Sequence, residues 1–377
     1  MGVSSTTLGR GTPGGTAPSP NLVRTTHRPG GQPQIRETVH APPAPLWDRS
    51  PVTLAPLAPH VAPAPSRERF PLPEGFDLRA TVGGLARGRG DLSTRISDAD
   101  LWWATNTPTG PATLHLRVEI GRAEVHAEAW GEGAGWALHQ VPEVLGLADD
   151  VAAFADHMEA LVARRAPGAD LVRELHRRDP QVRMSRSGNA LEALVPTILE
   201  QKVITADARA SYRALVRTHG TPAPGPEGLG LLLPPTPGQL AALPYWAFHP
   251  LNVERRRADT VRRACRVRHR LAVEAPADDA ELQRRLLTIP GIGPWTVAEV
   301  SQVALGDPDA VSVGDYHLCH HVTHAFTGQR RGSDELMLEL LEPFRPHRQR
   351  VVRLLLRGTP APSRRGPRLS RSRIRSF

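Results

Sequence analysis

The feature that most constrains this chain is a short reversal between two apolar stretches, in residues 286–298. Leu286, Leu287 and Ile289 give the first stretch a helical apolar face, and Pro290 ends it, because the residue before a proline is pushed out of the α region. Gly291 and Gly293, spaced i, i+2, permit a tight turn with exposed backbone N–H groups. Pro294 then suits the first turn of a second helix, where its missing donor costs nothing. Amides at such a turn point outward and favour an anion such as phosphate. Taken alone, the glycine pair is equally well explained as a turn between packed helices. The apolar helices on both sides, and the segment that follows, favour the phosphate reading.

Eighteen residues after Ile292 begins Ala310-Val311-Ser312-Val313-Gly314-Asp315-Tyr316-His317. A short extended apolar stretch delivers Asp315 to a helix start. Aspartate is a favoured N-cap and most capping aspartates do nothing else, so only the position after the hairpin marks Asp315 as a candidate for chemistry.

Elsewhere the organisation is that of several parts, as the length of 377 residues suggests. Residues 1–66 hold 13 prolines and read as a disordered arm, and 358–377 as a disordered arginine-rich tail. These two segments account for the formal net charge of +9. Between them, residues 67–170 carry 10 basic against 16 acidic side chains, and residues 171–357 carry 26 against 20. The positive half is the one a polyanion would meet, although a charge run is often only a solvated face. No apolar run reaches the ~18 residues of a membrane helix, and no secretory signal is evident. Two cysteines, Cys265 and Cys319, supply neither a disulfide framework nor four cluster ligands. The expected compartment is the reducing cytoplasm, in association with the nucleoid.

Alternation over 114–120 and 125–130, around a turn at Gly121-Arg122, predicts antiparallel strands. With a helix over 150–164 these strands form an expected small α+β domain at 67–168. Residues 169–357 are expected to be helical, with Asn189 capping a helix to Glu200 and further helices from Ala206, Asp279, Asp334 and Arg348.

The order of helix, Pro-Gly-Ile-Gly hairpin, Trp-Thr helix, Gly-Asp-Pro-Asp-Ala turn and Gly-Asp-Tyr resembles the helix-hairpin-helix DNA glycosylase superfamily. Within it, the pattern is most like the 3-methyladenine DNA glycosylase II type. The resemblance covers about 185–357 well and extends to 70–165, where that family carries a sheet domain; it covers neither tail. It implies a fold with a small antiparallel-sheet domain packed on an all-helical domain. It also implies double-stranded DNA containing a damaged base as partner, action as a monomer in base excision repair, no membrane and no cofactor or metal. By the same resemblance Asp315 corresponds to the catalytic aspartate, and Trp295 and Tyr316 to the base pocket. Gly291, Ile292, Gly293 and Thr296 correspond to the hairpin's DNA contacts, and Gln201 and Lys202 to the residues that fill the gap left by a flipped base. Pro346-His347-Arg348 resembles a segment that precedes the family's last helix.

Three departures bear on the chemistry. Glu299 and Leu355 stand where the alkylpurine prototype has further pocket aromatics, which leaves the preferred base open. Members with lyase activity carry a lysine where this chain has Trp295, and the only lysine is Lys202. A monofunctional glycosylase acting on an alkylated purine is therefore the expectation. A catalytically degenerate DNA-binding protein of the same fold and an oxidised-purine glycosylase remain the alternatives.

Two other clusters compete for attention. His317, His320, His321 and His324, with Cys319, have spacings that put several imidazoles on one helix face, but one helix rarely closes a metal shell. The arginines between 255 and 270 either track a phosphate backbone or line a solvated helix.

Overall fold

The protein is described from a computed structural model, covering residues 64–272 and 279–363. Residues 1–63 of the expected arm and 364–377 of the expected tail lie outside the described residues. No helix among the described residues is long and apolar enough to cross a membrane.

Five antiparallel strands form one sheet in the order β1-β5-β4-β3-β2, with β1 Ser66–Pro71, β2 Thr94–Ile96, β3 Asp100–Thr107, β4 Gly110–Glu119 and β5 Glu124–Trp130. The period-two pattern sets its faces. Leu114 and Leu116 of β4 lie opposite Ala129 and Ala127 of β5, all of them buried. They pack with helices α1 (Leu78–Val82), α2 (Ala134–His139) and α3 (Val141–Val144) into one core. Each leucine fully removed from water there contributes ~1.5–3 kcal/mol.

The helical part contains two further cores. The first joins α6 (Ala190–Glu200), α7 (Thr205–His219), α8 (Pro237–Ala242), α9 (Tyr245–Phe248), α10 (Arg255–Arg266), α11 (Asp279–Leu287) and α12 (Pro294–Val300). The second joins α4 (Val151–Ala163), α5 (Ala169–Arg178), α13 (Leu318–Thr327), α14 (Asp334–Leu341) and α15 (Arg348–Gly358). The helix expected over 150–164 is α4, but Phe154, Met158 and Leu161 pack with Val351 and Leu355 of α15 and not with the sheet. Arg350 of α15 fixes this arrangement. Buried under Phe154, it forms an ion pair with Asp149 and donates to the Val182 carbonyl at 2.9 Å.

A polar seam joins sheet and helices. Glu192, in the first turn of α6, accepts from the Asn106 N–H at 2.7 Å and from Thr105 Oγ1 at 2.8 Å. Asn189 caps the same helix through the Glu192 N–H and reaches the Asn106 carbonyl at 3.0 Å. α6 therefore runs from the sheet at its N-terminus to the hairpin at its C-terminus, and it packs along α12.

Candidate active site

α11 stops before Pro290, and Gly291, Ile292 and Gly293 turn the chain into α12, with Pro294 at its first turn. Ile289 and Ile292 are buried in the helical core, which pins the turn from below. Gly291 has φ +98°, and a Cβ there would approach Thr260 Oγ1 to 2.5 Å, so both conformation and space require glycine. Gly293 is extended, with open space where a side chain would stand. The hairpin thus presents backbone at its tip, as a phosphate contact needs.

The C-terminus of α6 is tied to the hairpin by Gln201. Its Nε2 donates to the Gly291 carbonyl at 3.0 Å and to Thr296 Oγ1 at 2.9 Å. Both residues are expected among the DNA contacts, and here they hold each other: Thr296 is buried beneath Gln201, and the Gln201 amide braces the hairpin. Lys202 follows it, exposed and with φ +56°. α6 itself is anchored from α10, where the buried Arg257 donates to the Leu199 carbonyl at 2.7 Å. Within the 255–270 run, Arg262 and Arg263 bond Asp259 and Thr260, while Arg255, Arg256, Arg266, Arg268 and Arg270 are exposed. The run is part framework and part charged surface.

Beyond α12 the helix widens into a π-helical turn, Ser301–Leu305. Gln302 on this turn donates to the Ala310 carbonyl at 2.9 Å and to Ser312 Oγ at 2.8 Å, fixing the stretch that leads to Asp315. Asp309 fixes it from the other side, through ion pairs with Arg345 and Arg348. Arg348 of the Pro346-His347-Arg348 segment is thereby a clamp on the Asp307-Pro308-Asp309 turn.

Asp315 arrives half-buried just ahead of α13. Its Oδ1 accepts from the N–H groups of His317 and Leu318 at 2.8 and 2.9 Å, so the carboxylate is oriented by the free amides of the helix start. Trp295 is half-buried on the first turn of α12. Tyr316, expected at the base pocket, is 77% exposed, with its ring edge-on to His317 and His320.

Glu299, one turn beyond Trp295 on α12, was legible only as a departure from a pattern. In the structure its Oε1 accepts from Ser312 Oγ at 2.5 Å. Burial raises its carboxyl above the ordinary range, and the carboxylates of Glu200 and Asp315 push it the same way. Glu200, at the end of α6, is also raised by burial, against the pull of Arg87 and Arg209.

The histidines of α13 turn to separate partners. His321 meets Thr359 Oγ1 at 3.0 Å, His324 the Gly328 carbonyl at 3.2 Å, and His320 the Gly332 N–H at 3.2 Å. Among the described residues no group of three or more His, Cys, Asp or Glu is arranged to hold a metal ion.

No family model matches the chain. It is 31% identical over 162 residues to a probable bifunctional transcriptional activator/DNA repair enzyme AlkA of Mycobacterium tuberculosis, covering 42% of this chain and 32% of that protein. It is 27% identical over 117 residues to a putative DNA-3-methyladenine glycosylase, YfjP, of Bacillus subtilis, covering 30% of this chain and 41% of that one. The chain thus spans well under half the length of these curated relatives. In structure it is similar to a 3-methyladenine DNA-glycosylase from Archaeoglobus fulgidus, with TM-score 0.61, 17% identity, and 77% and 97% of the two chains covered. A Clostridium acetobutylicum 8-oxoguanine glycosylase/lyase superposes with TM-score 0.56, 14% identity, and 78% and 98% covered.

Proposed function

We propose that this chain, a helix-hairpin-helix DNA glycosylase by fold, hydrolyses the N-glycosidic bond of a damaged base in duplex DNA as a monofunctional enzyme of base excision repair. The preferred substrate in this reading is an alkylated purine. The observation that carries the proposal is the placement of Asp315. A carboxylate is held by two backbone amides at a helix start, in the segment that Gln302 ties to the helix bearing Trp295.

The hairpin tip would bind the DNA backbone through its amides while the damaged nucleotide turns out of the stack. That extrusion costs a few kcal/mol and is easiest for a weakly paired base. The ring of Trp295 would then stack on the base, and its negative face favours an electron-poor, alkylated ring. As the base leaves, positive charge develops on the sugar. The Asp315 carboxylate, with Oδ1 already oriented, would stabilise that charge and direct the attacking water. Lyase chemistry needs an amine at the sugar, and the only lysine, Lys202, sits on the exposed turn after α6 while Trp295 follows the hairpin.

Duplexes carrying single defined lesions, assayed for abasic sites, test this reading. Asp315→Asn should fold like the wild type and lose base release by roughly 10²–10³-fold, an effect of the size seen when a key electrostatic group is removed. Wild-type turnover by that variant would remove Asp315 from the mechanism. Borohydride should trap no covalent adduct. An adduct that Lys202→Met abolishes would make the enzyme bifunctional.

A further inference from the structure

We propose that Glu299 is the general acid of this site and extends the reaction to uncharged damaged purines. The inference rests on the glycosylase reading above and deepens it. Glu299 lies four residues after Trp295 on α12, which puts the two on one face of the helix. Its Oε1 is fixed by the Ser312 hydroxyl, itself held by Gln302, and the carbonyl of the same Ser312 accepts the Asp315 N–H at 3.2 Å. One serine therefore holds the Glu299 carboxyl and the backbone that carries Asp315. The Ser312 hydroxyl spends its single proton on Oε1, and among the described residues no hydrogen bond engages Oε2. The second oxygen is left to carry a proton toward the base that stacks on Trp295.

The surroundings favour that protonated form. Burial disfavours the charge on Glu299, and the carboxylates of Glu200 and Asp315 disfavour it further, while Arg87 and the Ser312 hydrogen bond oppose them only in part. Two neighbouring carboxyls with different hydrogen-bonding environments divide acid and charge-stabilising roles between them. Here Asp315 takes two amide donors and Glu299 one hydroxyl.

The chemical consequence depends on the charge of the base. A purine alkylated at N3 or N7 is a cation and leaves as a neutral molecule when the C1′–N9 bond breaks, with the bonding pair going to the ring. An uncharged purine lesion, such as a deaminated or etheno-bridged ring, would leave as an anion. A proton passed from Glu299 Oε2 to a ring nitrogen of the base lets it leave neutral instead. Water then adds to C1′, its proton passes by way of Asp315 to solvent, and the Glu299 carboxylate takes a proton back from solvent. The products are the free base and a sugar bearing hydroxyl at C1′.

The test compares release of a cationic lesion, N7-methylguanine, with release of two uncharged ones, hypoxanthine and 1,N6-ethenoadenine, by the full chain and by Glu299→Gln. We expect the wild type to release at least one uncharged base. Glu299→Gln should lower that release about 100-fold, as loss of general-acid help does, and lower release of N7-methylguanine less than tenfold. The wild-type rate on the uncharged base should also fall as pH rises through the Glu299 titration, a limb that the variant lacks and that requires no variant to be seen. Equal losses on both classes in the variant would overturn the proposal. So would release of N7-methylguanine alone by the wild type, which leaves the glycosylase reading standing. Release of no base at all would remove both.

Discussion

Glu192 and Glu299 are both glutamates on core helices whose carboxyls burial raises, yet their surroundings give them opposite parts. Glu192 sits at the sheet end of α6 with a donor on each oxygen, the Asn106 N–H and the Thr105 hydroxyl. Burial still lifts it to about 7. Glu299 sits beside the hairpin with one oxygen held by Ser312 and two carboxylates nearby. A buried carboxyl with both oxygens occupied joins two elements, while one with an oxygen to spare can exchange a proton. Burial moves both carboxyls in the same direction, so that direction does not separate the two cases; the hydrogen-bond partners do.

That comparison can be broken most directly by varying pH. The Glu192 carboxyl is raised in the folded protein above its ordinary 4.5, so its contribution to stability is fully present below about 4.5 and is lost as pH rises through about 7. Relative to Glu192→Gln, the wild type should therefore lose roughly 3 kcal/mol between pH 4.5 and 8 in urea unfolding, because each tenfold change in proton affinity on folding is worth about 1.4 kcal/mol. A flat difference across that range would show that Glu192 remains ionised. Next in size is the cost of removing each side chain at pH 5. Glu192→Ala orphans the Asn106 and Thr105 donors and should cost ~2 kcal/mol or more. Glu299→Ala should cost about half that or less, since only one hydroxyl loses its acceptor. Equal costs would erase the distinction between joint and acid.

The hairpin repeats the contrast between two like residues, and it holds the smallest effect. Gly291→Ala combines a left-handed φ with a clash against Thr260 and should cost ~1–3 kcal/mol. Gly293→Ala meets open space and an extended backbone, so its stability change should stay within about 0.5 kcal/mol. Its effect should appear instead as weaker DNA binding, from a methyl group at the tip. Unchanged affinity in the folded Gly293→Ala protein would take the hairpin tip out of the DNA contact.

Much of this architecture is written locally in the chain. Alternation at 114–120 and 125–130 corresponds to β4 and β5, Asn189 caps α6, Pro294 opens α12, and the Asp315 segment leads into α13. These features follow from steric rules and hydrogen bonds that act within a few residues, so a short window of sequence contains their cause. The strands β1 to β3 were less legible, because β1 is a mostly exposed edge and β2 spans only three residues.

What the tertiary structure alone decided are pairings between residues far apart in the chain. Phe154, Met158 and Leu161 are apolar in any window, but only Arg350 and Asp149 settle that α4 joins the C-terminal core. Thr296 and Gln201 look like surface polar residues until their bond across 95 positions turns them inward. Ser312 carries no local signal at all, and its hydroxyl still sets Glu299 beside Asp315. The physical reason is common to these cases. An apolar period or a cap is decided by neighbours along the chain, whereas a buried polar side chain takes its role from whichever donor or charge the packed fold brings to it.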